Sequence, residues 1–268
     1  MSPGTEPMGI VVLVSGSGTN LQAIIDACEQ GQINGQVVVV GSDRPSASGL
    51  QRAQQHHIPI FVVDYASIVR QYRARPEKML LPAKVELSDL MDKQHLFDPQ
   101  SDPEKGADFL ATRVLAESRL LSQLNAHKLD LLVLAGFMRN LTPYFIDTFN
   151  IEPHRPRIMN IHPALLPAFP GVDGYGDTFH YGCKVAGCTV HFIDYGEDSG
   201  PIIAQRCCAI LPEDTLETVR EKGLALEWQV YPECIELFAR DRLQVVTMTY
   251  TRGNGDILQR RVVQIVQD

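Results

Sequence analysis

The chain has 268 residues and lacks the features that mark several large classes of protein. No apolar run approaches the roughly 20 residues that a membrane-spanning helix needs. The first residues, MSPGTEPMG, carry no basic segment of the kind that begins a signal peptide. No basic run stands out and the net charge is −8, which argues against a nucleic-acid surface. We therefore expect neither membrane nor nucleic acid as a partner, and local geometry would have to hold any anionic ligand.

Cysteine patterns typical of metal or redox sites are also missing. None of the six cysteines belongs to a C-x-x-C pair, the spacing of zinc and thioredoxin-like sites. Cys207 and Cys208 are adjacent, which is a poor geometry for a bond between them. We expect all six cysteines to be reduced thiols in a cytoplasmic protein, and we expect no metal site.

Short runs of Val, Leu and Ile alternate with helical patterns in the first half of the chain. GIVVLVSGSG predicts a strand that ends in a glycine loop, and QVVVVGSD, IPIFVVDY, LDLLVLAGF and RIMNIHP also predict strands. NLQAIIDACEQGQ, SASGLQRAQQHH and TRVLAESRLLSQLNAHK predict helices. Nearly continuous apolar strands separated by helices are typical of a parallel sheet covered on both faces. The predicted fold class is a doubly wound, Rossmann-like α/β domain with a mostly parallel sheet.

We expect a single domain over residues 1–268 with an insertion at 66–107. Prolines and charges break the rhythm of the insertion, where one short helix is predicted near VELSDLMDK. Later, CTVHFID and PIIAQRCCAI predict strands on either side of YGEDSG, and LETVREKGLALEWQVYPECIELFAR predicts one long helix or a broken pair. The tail, 240–268, has strand patterns around Gly253, Asn254 and Gly255, which predicts a C-terminal hairpin.

The loop SGSGTN, Ser15 to Asn20, lies between the first strand and the first helix. Small residues let a ligand approach the backbone, and the free N–H groups of the first helical turn offer an anion site. The third glycine of the dinucleotide fingerprint is replaced by Leu21, and the lysine-containing phosphate signature is absent. A phosphate site and a tight turn without a ligand both fit this loop.

The stretch MNIHPALLPAFPG places Asn160 and His162 at the end of a predicted strand. Residues two apart on a strand point to the same side, and ligands gather at the carboxyl ends of parallel strands. A His in that place can transfer a proton near neutral pH, and an Asn amide can stabilise a developing oxyanion. The alternative is that both residues merely satisfy the backbone of a buried turn.

The loop DYGEDSGPIIAQ offers three carboxylates, Asp194, Glu197 and Asp198. One of them could pair with His162, set its tautomer and favour its charged form. Taken alone, the loop also fits a solvated acidic turn.

Four motifs in this order resemble one known family. VVLVSGSGTNLQAIIDA, VLAGFMR, MNIHPALLPAFPG and CTVHFIDYGEDSGPIIAQ are similar to the phosphoribosylglycinamide formyltransferases, folate-dependent enzymes of purine biosynthesis. The resemblance runs from about Gly9 to Ala239 and is interrupted by the insertion at 66–107. It implies transfer of the formyl group of 10-formyltetrahydrofolate, a co-substrate, to the amine of glycinamide ribonucleotide.

The resemblance also implies a set of site residues. These are catalytic Asn160, His162 and Asp198; Gly18, Thr19 and Asn20 for the ribonucleotide phosphate; Glu227 near its ribose; and folate-binding Arg113, Met138, Arg139, Asn140 and Leu141. Arg113 matches an arginine near the benzoyl-glutamate end of the folate. The partners expected are these small-molecule substrates, and the chain is expected to be a monomer or a homodimer.

The expected mechanism is direct attack of the amine on the formyl carbon. Asn160 and protonated His162 would stabilise the tetrahedral oxyanion, and Asp198 would hold His162 charged and carry a proton through a water. Most family members have a histidine where this chain has Asp173. If that histidine helps to bind a substrate, either His180 or Tyr175 substitutes for it here or the contact is missing.

Four other functions fit parts of the sequence. Formyltetrahydrofolate hydrolase usually has a further domain before the segment that begins here at Gly9, and methionyl-tRNA formyltransferase needs a basic domain where this chain has 240–268. A nucleotide-binding dehydrogenase could use Asp43, and a non-catalytic nucleotide-binding module is also possible. Both leave Asn160, His162 and Asp198 without a role.

Overall fold

The computed structural model describes residues 6–152, 154–253 and 255–267. The strands are β1 (Met8–Val14), β2 (Gly35–Ser42), β3 (Ile60–Val62), β4 (Leu131–Leu134), β5 (Ile158–His162), β6 (Val185–Phe192), β7 (Ile202–Ala209), β8 (Leu243–Thr251) and β9 (Ile257–Ile265). The helices are α1 (Thr19–Glu29), α2 (Ser48–Gln55), α3 (Tyr65–Ala74), α4 (Leu87–Lys93), α5 (Pro103–Leu124), α6 (Pro143–Phe149), α7 (Gly174–His180) and α8 (Leu216–Ala239).

Seven strands form one sheet in the order β3-β2-β1-β4-β5-β6-β7. Strands β1 to β5 pair in parallel, whereas β6 and β7 continue the sheet in antiparallel fashion. The predicted mostly parallel α/β fold is therefore confirmed. The chain winds from β1 outwards to β3 on one side and to β4 and β5 on the other, so the switch in strand order lies between β1 and β4.

Helices cover both faces of the sheet, and the continuous apolar runs follow from that arrangement. All seven residues of β1 are buried: Ile10, Val12 and Val14 contribute to one core. Val11 and Leu13 point into the core on the opposite face. A strand covered on both sides has no solvent face on which to place polar side chains.

The segment 66–107 is more regular than predicted. The helix expected near VELSDLMDK is α4, but α3 was missed, and a 3₁₀ turn at Pro76–Lys78 and the start of α5 also lie here. Of α3, only Tyr65 and Ile68 are buried. The segment contacts the acidic loop after β6, where the N–H of His95 donates to the carbonyl oxygen of Tyr195 at 2.8 Å.

In the C-terminal third, the structure decides one open prediction and confirms another. The pattern that fitted one helix or a broken pair is the single helix α8, which continues through Pro232. Strands β8 and β9 pair antiparallel in the predicted hairpin, although Asn254 of its turn lies outside the described residues. Across the parts of the chain that the structure describes, no helix is long and apolar enough to cross a membrane.

Candidate active site

A cleft of about 610 Å³ lies at the carboxyl ends of β1, β4 and β5, beside the switch in strand order. Parallel strands carry their following loops to the same edge of a sheet, which is where α/β folds bind ligands. The loops after β1, β4 and β5 therefore form its walls, together with residues 193–198 after β6 and one side of α8. Every site residue predicted from the sequence lines this cleft except Arg139.

His162 is buried at the centre of the cleft, and both of its ring nitrogens have partners. Nδ1 lies 3.1 Å from Oδ2 of Asp198, and Nε2 lies 2.7 Å from the carbonyl oxygen of Phe169. A carboxylate and a carbonyl both accept hydrogen bonds, and only the imidazolium form of histidine has two N–H groups to donate. The surroundings of His162 therefore suit its positively charged form.

The two partners of His162 have unusual backbone conformations. Phe169 has a φ of 54° and Asp198 a φ of 49°, a region that non-glycine residues rarely occupy. Such strain persists only where the surrounding structure enforces it, and it concentrates at functional sites. The backbone thus directs both acceptors at the same imidazole.

The pKa of Asp198 lies below its ordinary value. Burial raises it, but the interaction with the His191 ring, the N–H of Gly171 and the charge of His162 together outweigh that effect. The Gly171 N–H donates to Oδ2 at 2.9 Å. Asp198 is therefore a carboxylate at neutral pH, as a partner of an imidazolium should be.

Asn160 lies two residues before His162 and opposite His191 on the antiparallel strand β6. The Asn160 Nδ2 atom is 3.2 Å from Nε2 of His191, and the Nδ1 atom of that ring is 3.0 Å from the carbonyl oxygen of Phe192. In the tautomer that carries its proton on Nδ1, the ring donates to this carbonyl and its Nε2 accepts from Asn160. One N–H of the amide is fixed in this way, and the second remains available to an oxygen in the cleft.

His191 was not identified from the sequence. It is fully buried, and its Nε2 lies 3.6 Å from Oδ1 of Asp198, so it faces two of the predicted catalytic residues. The signal in the sequence was a histidine within the apolar run CTVHFID. Its meaning depends on the register between β5 and β6, which the sequence alone does not reveal.

The N-terminus of α1 forms one end of the cleft. Gly18 caps this helix with a φ of 71° and no side-chain hydrogen bond, which leaves the first N–H groups free for an anion. A Cβ on Gly18 would lie 2.6 Å from Cα of Gly49, so glycine is required for the packing of the loop against α2 as well as for the conformation. Arg44, which the sequence analysis did not single out, also lines this end.

Glu227 is buried beside the N-terminus of α1 and forms hydrogen bonds with two neighbours. It accepts hydrogen bonds from Nδ2 of Asn20 and from the hydroxyl of Tyr175, each at 2.6 Å. Tyr175 reaches it because Gly223 of α8 has no side chain: a Cβ there would lie 2.1 Å from the tyrosine ring. Burial raises the pKa of Glu227, and the two hydrogen bonds offset only part of that increase. Oδ1 of Asn20 is buried and has no partner among the described residues.

The loop after β4 forms the opposite end of the cleft. Met138, Asn140 and Leu141 line it, and Met138 is 46% exposed, which leaves an apolar surface open to a ligand. The N–H of Met138 donates to the hydroxyl of Ser15 at 2.8 Å, so this loop is linked to the start of the loop Ser15 to Asn20.

Arg139 turns away from the cleft. Its Nε donates to Oδ2 of Asp43 at 2.6 Å, and Oδ1 of the same carboxylate accepts from the Ser15 hydroxyl at 2.5 Å. Asp43, the acidic residue that a dehydrogenase could use, is buried and joins two loops through these hydrogen bonds. Arg139 instead lines a second cavity next to the first.

Arg113 lines both cavities. Its guanidinium carbon lies 5.4 Å from the ring centroid of Tyr65 and 4.8 Å from that of Phe109, distances typical of cation–π contacts. Its buried Nε and the buried hydroxyl of Tyr65 have no partner within the described chain. Buried polar atoms are usually paired, so these two are candidates for ligand contacts.

Asp173 faces α8. Its carboxylate accepts from Nη2 of Arg220 at 2.9 and 3.0 Å, and it accepts the N–H of Gly176 at the start of α7. Tyr175 lines the cleft, whereas His180 is not among the lining residues. Of the two substitutes considered, Tyr175 is therefore the one placed to contact a ligand.

Comparison with known proteins gives a consistent result. Residues 8–235 match the family model described as formyl transferase. The chain is 34% identical over 225 residues to the phosphoribosylglycinamide formyltransferase of Bacillus subtilis, covering 84% of this chain and 91% of the relative. It is 33% identical over 230 residues to the trifunctional purine biosynthetic protein adenosine-3 of Drosophila melanogaster, covering 85% of this chain and 14% of that longer protein.

The fold has close counterparts among solved structures. The crystal structure of glycinamide ribonucleotide transformylase 1 from Symbiobacterium toebii superposes with a TM-score of 0.71 at 36% identity, covering 98% of this chain and 96% of that one.

Proposed function

The chain belongs to the formyl transferase family, and we propose that Asn160, His162 and Asp198 carry out its chemistry in the cleft described above. It transfers a formyl group to the amine of glycinamide ribonucleotide in purine biosynthesis. In this proposal the donor is 10-formyltetrahydrofolate, a co-substrate that leaves the site as tetrahydrofolate.

The ribonucleotide occupies the end of the cleft at α1. Its phosphate accepts hydrogen bonds from the free N–H groups at Gly18, Thr19 and Asn20, and the helix dipole favours the negative charge. The ribose hydroxyls lie at Glu227, where the unpartnered Oδ1 of Asn20 is ready to accept one of them. The glycyl amine then extends towards His162.

The folate occupies the other end. Its ring packs on the apolar surface of Met138 and Leu141 and faces residues 193–198, while its benzoyl-glutamate end passes Arg113. The formyl group lies where the two ends meet, beside Asn160 and His162. Holding both reactants in one cleft turns a bimolecular step into an effectively intramolecular one.

The amine attacks the formyl carbon, and the carbonyl oxygen becomes an oxyanion. The free Nδ2–H of Asn160 donates to that oxygen, and the imidazolium of His162 stabilises its charge. Breaking the bond between the formyl carbon and N10 of the folate then releases the product. A donor of this kind typically contributes about 2.7–4 kcal/mol to the stability of the transition state.

The proton balance requires one transfer. The attacking amine loses a proton, and N10 gains one as it leaves. Oδ2 of Asp198 accepts from the Gly171 N–H and faces Nδ1 of His162, whereas Oδ1 has only Nε2 of His191 at the longer distance of 3.6 Å, so Oδ1 is the oxygen that takes the amine proton through a water. Asp198 therefore both keeps His162 charged and relays the proton.

The proposal rests mainly on the position of His162 and on the contacts of its ring. Its imidazole is fixed between Asp198 and Phe169, at the junction of an anion-binding helix N-terminus and an apolar wall. A dehydrogenase or a passive nucleotide-binding module would not need this triad.

The test is to follow 10-formyltetrahydrofolate with and without glycinamide ribonucleotide. Loss of formyl folate that depends on the ribonucleotide, with formylglycinamide ribonucleotide as product, supports the proposal. Equal loss in the absence of acceptor would instead assign a hydrolase. The Asn160→Ala variant serves as the control that this cleft is responsible.

A further inference from the structure

The loop after β5, residues 163–173, supplies main-chain contacts to two of the three proposed catalytic residues. The carbonyl oxygen of Phe169 lies 2.7 Å from Nε2 of His162, and the N–H of Gly171 donates to Oδ2 of Asp198 at 2.9 Å. The same Oδ2 lies 3.1 Å from Nδ1 of His162. A shift of this loop would therefore disturb both sides of the imidazole, and a misplacement of about 1 Å can cost about 100-fold in rate.

Burial does little to hold the part of the loop that makes these contacts. Residues 167–173 are all exposed or half-buried, and Val172 is 77% exposed. Phe169 and Gly171 have φ values of 54° and 106°, and the first is a conformation that phenylalanine rarely adopts. Segments with few buried contacts open easily, so this stretch depends on the contacts at its two ends.

The end of the stretch nearer to β5 is attached to the sheet by main-chain hydrogen bonds. The N–H of Leu166 donates to the hydroxyl of Thr189 on β6 at 3.0 Å. The carbonyl oxygen of Leu166 accepts from Nε2 of Gln205 on β7 at 2.9 Å. This attachment involves no residue of α8.

The other end of the stretch is attached to α8 through the side chain of Asp173. Both carboxylate oxygens accept from Nη2 of Arg220, at 2.9 and 3.0 Å, and Oδ1 also accepts the N–H of Gly176 at the start of α7. The hydrogen bond from Arg220 lowers the pKa of Asp173, so the pair is charged at neutral pH. Arg220 itself lines the cleft.

Tyr175 attaches the next part of the chain to α8, through its hydrogen bond to Glu227 at 2.6 Å. It lies within α7 and four residues beyond Gly171, whereas Asp173 precedes that helix and is two residues from Gly171. Loss of the ion pair should therefore loosen the loop while α7 stays in place.

We infer that Asp173 and Arg220 form a positioning pair, which holds the loop after β5 against the two catalytic residues that its backbone contacts. This inference rests on the proposed function, since it assumes that His162 and Asp198 act in formyl transfer. The pair acts through the loop and touches neither reacting group. Its contribution therefore falls on kcat and leaves the binding of both substrates unchanged.

The test separates the ion pair from the cap of α7, because Asp173 serves in both. In Asp173→Ser the hydroxyl can still accept the N–H of Gly176, since serine is a good helix cap, but it is too short to reach Arg220. Exposed ion pairs contribute modestly, so kcat should fall about 3- to 10-fold, with both KM values within about twofold of wild type.

Variants of Arg220 check that the two residues act as one unit. Arg220→Ala should match Asp173→Ser, and the double variant should be no slower than either single variant. Arg220→Lys keeps the charge and should recover most of the loss.

Glu233→Ala is the matched control. Glu233 also lies on α8 and pairs with Arg206 at 2.8 Å, with side chains 55% and 48% exposed against 53% and 46% for Asp173 and Arg220. Both partners of the control pair lie outside the lining of the cleft. This variant should keep the wild-type kcat.

Amide hydrogen exchange of peptides that cover 167–173 gives a readout independent of the reaction. Exchange at the Gly171 N–H should be about 3- to 10-fold faster in Asp173→Ser than in the wild type, because opening of the loop frees this donor. It should be unchanged in Glu233→Ala.

Unchanged exchange in Asp173→Ser, or a kcat near that of the wild type, would overturn the positioning pair. A rise in the ribonucleotide KM confined to Arg220→Ala would also overturn it, because Arg220 would then bind the substrate directly. If the wild type transfers no formyl group, the proposed function fails first, and the exchange rates still decide whether the pair holds the loop.

Discussion

Replacing Asp198 by asparagine tests the centre of the proposed mechanism. The substitution keeps the size of the side chain and an oxygen that can accept the Gly171 N–H, but it removes the negative charge beside His162. The carboxylate oxygen lies 3.1 Å from Nδ1. At that distance and an effective dielectric constant of about 20, the attraction between unit charges is about 5 kcal/mol.

Only part of this attraction is lost in the transition state. Asp198 keeps some contact with solvent, its side chain being 12% exposed, and a neutral His162 can still donate one hydrogen bond. We therefore expect kcat to fall about 100- to 1000-fold, which corresponds to roughly 3–4 kcal/mol. The KM for the ribonucleotide should stay within about threefold, because the phosphate loop and Glu227 are unchanged.

Steady-state kinetics with both substrates measures this change. Asp241→Asn, a replacement of the same kind at a side chain that is 75% exposed, is the control and should keep wild-type kinetics. A kcat within about threefold of wild type in Asp198→Asn would refute the role of the carboxylate. A change confined to the KM for the ribonucleotide, with kcat unaltered, would also refute it.

The same variant gives a second readout through pH. Because the pKa of Asp198 is lowered in the folded state, its charge contributes stability above the ordinary carboxyl pKa, and that contribution is lost as the pH falls through the folded value. The difference in unfolding free energy between wild type and Asp198→Asn should thus be largest near neutral pH and shrink below about pH 4.

Three further predictions concern Asn160, Gly18 and Glu117, a buried residue of α5 outside the cleft that accepts hydrogen bonds from the N–H and the hydroxyl of Thr142. Asn160→Ala should lower kcat at least about 100-fold with little effect on ribonucleotide binding, and near wild-type turnover would contradict its oxyanion role. Gly18→Ala should raise the ribonucleotide KM about tenfold or more, because its Cβ would lie 2.6 Å from a neighbouring backbone atom; Gly31→Ala, with a φ of 70° but open space around it, is the control for backbone strain alone. Burial raises the pKa of Glu117 to about 8. Between pH 4.5 and 8 the folded chain therefore keeps a proton that the unfolded chain has lost, and the free energy of unfolding falls as the pH rises. Glu117→Gln should therefore raise the unfolding free energy by about 3 kcal/mol at pH 7 and by nothing at pH 4, and an equal effect at both pH values in urea denaturation would contradict this sign.

Much of the fold follows from local sequence. Strand β1 was predictable because a strand buried on both faces must be apolar at every position, and α1 because its buried residues recur at helical spacing. Helix α3 was missed because it buries only Tyr65 and Ile68 and is followed at once by a segment rich in prolines and charges. Helix α8 was ambiguous because proline disfavours a helix interior, and packing of the buried Tyr231 and Ile235 on either side of Pro232 overrides that preference.

The sequence by itself determined that Asn160 and His162 share one face, since the period of a strand is two. It offered three carboxylates as partners of His162, and only the tertiary structure shows Asp198 at the imidazole. The second acceptor at Phe169, the facing His191, the turn of Arg139 towards Asp43 and the second cavity were likewise decided by the fold. The physical reason is that periodicity and turn chemistry act between neighbours in the chain, whereas these contacts join residues whose distance depends on strand order and register.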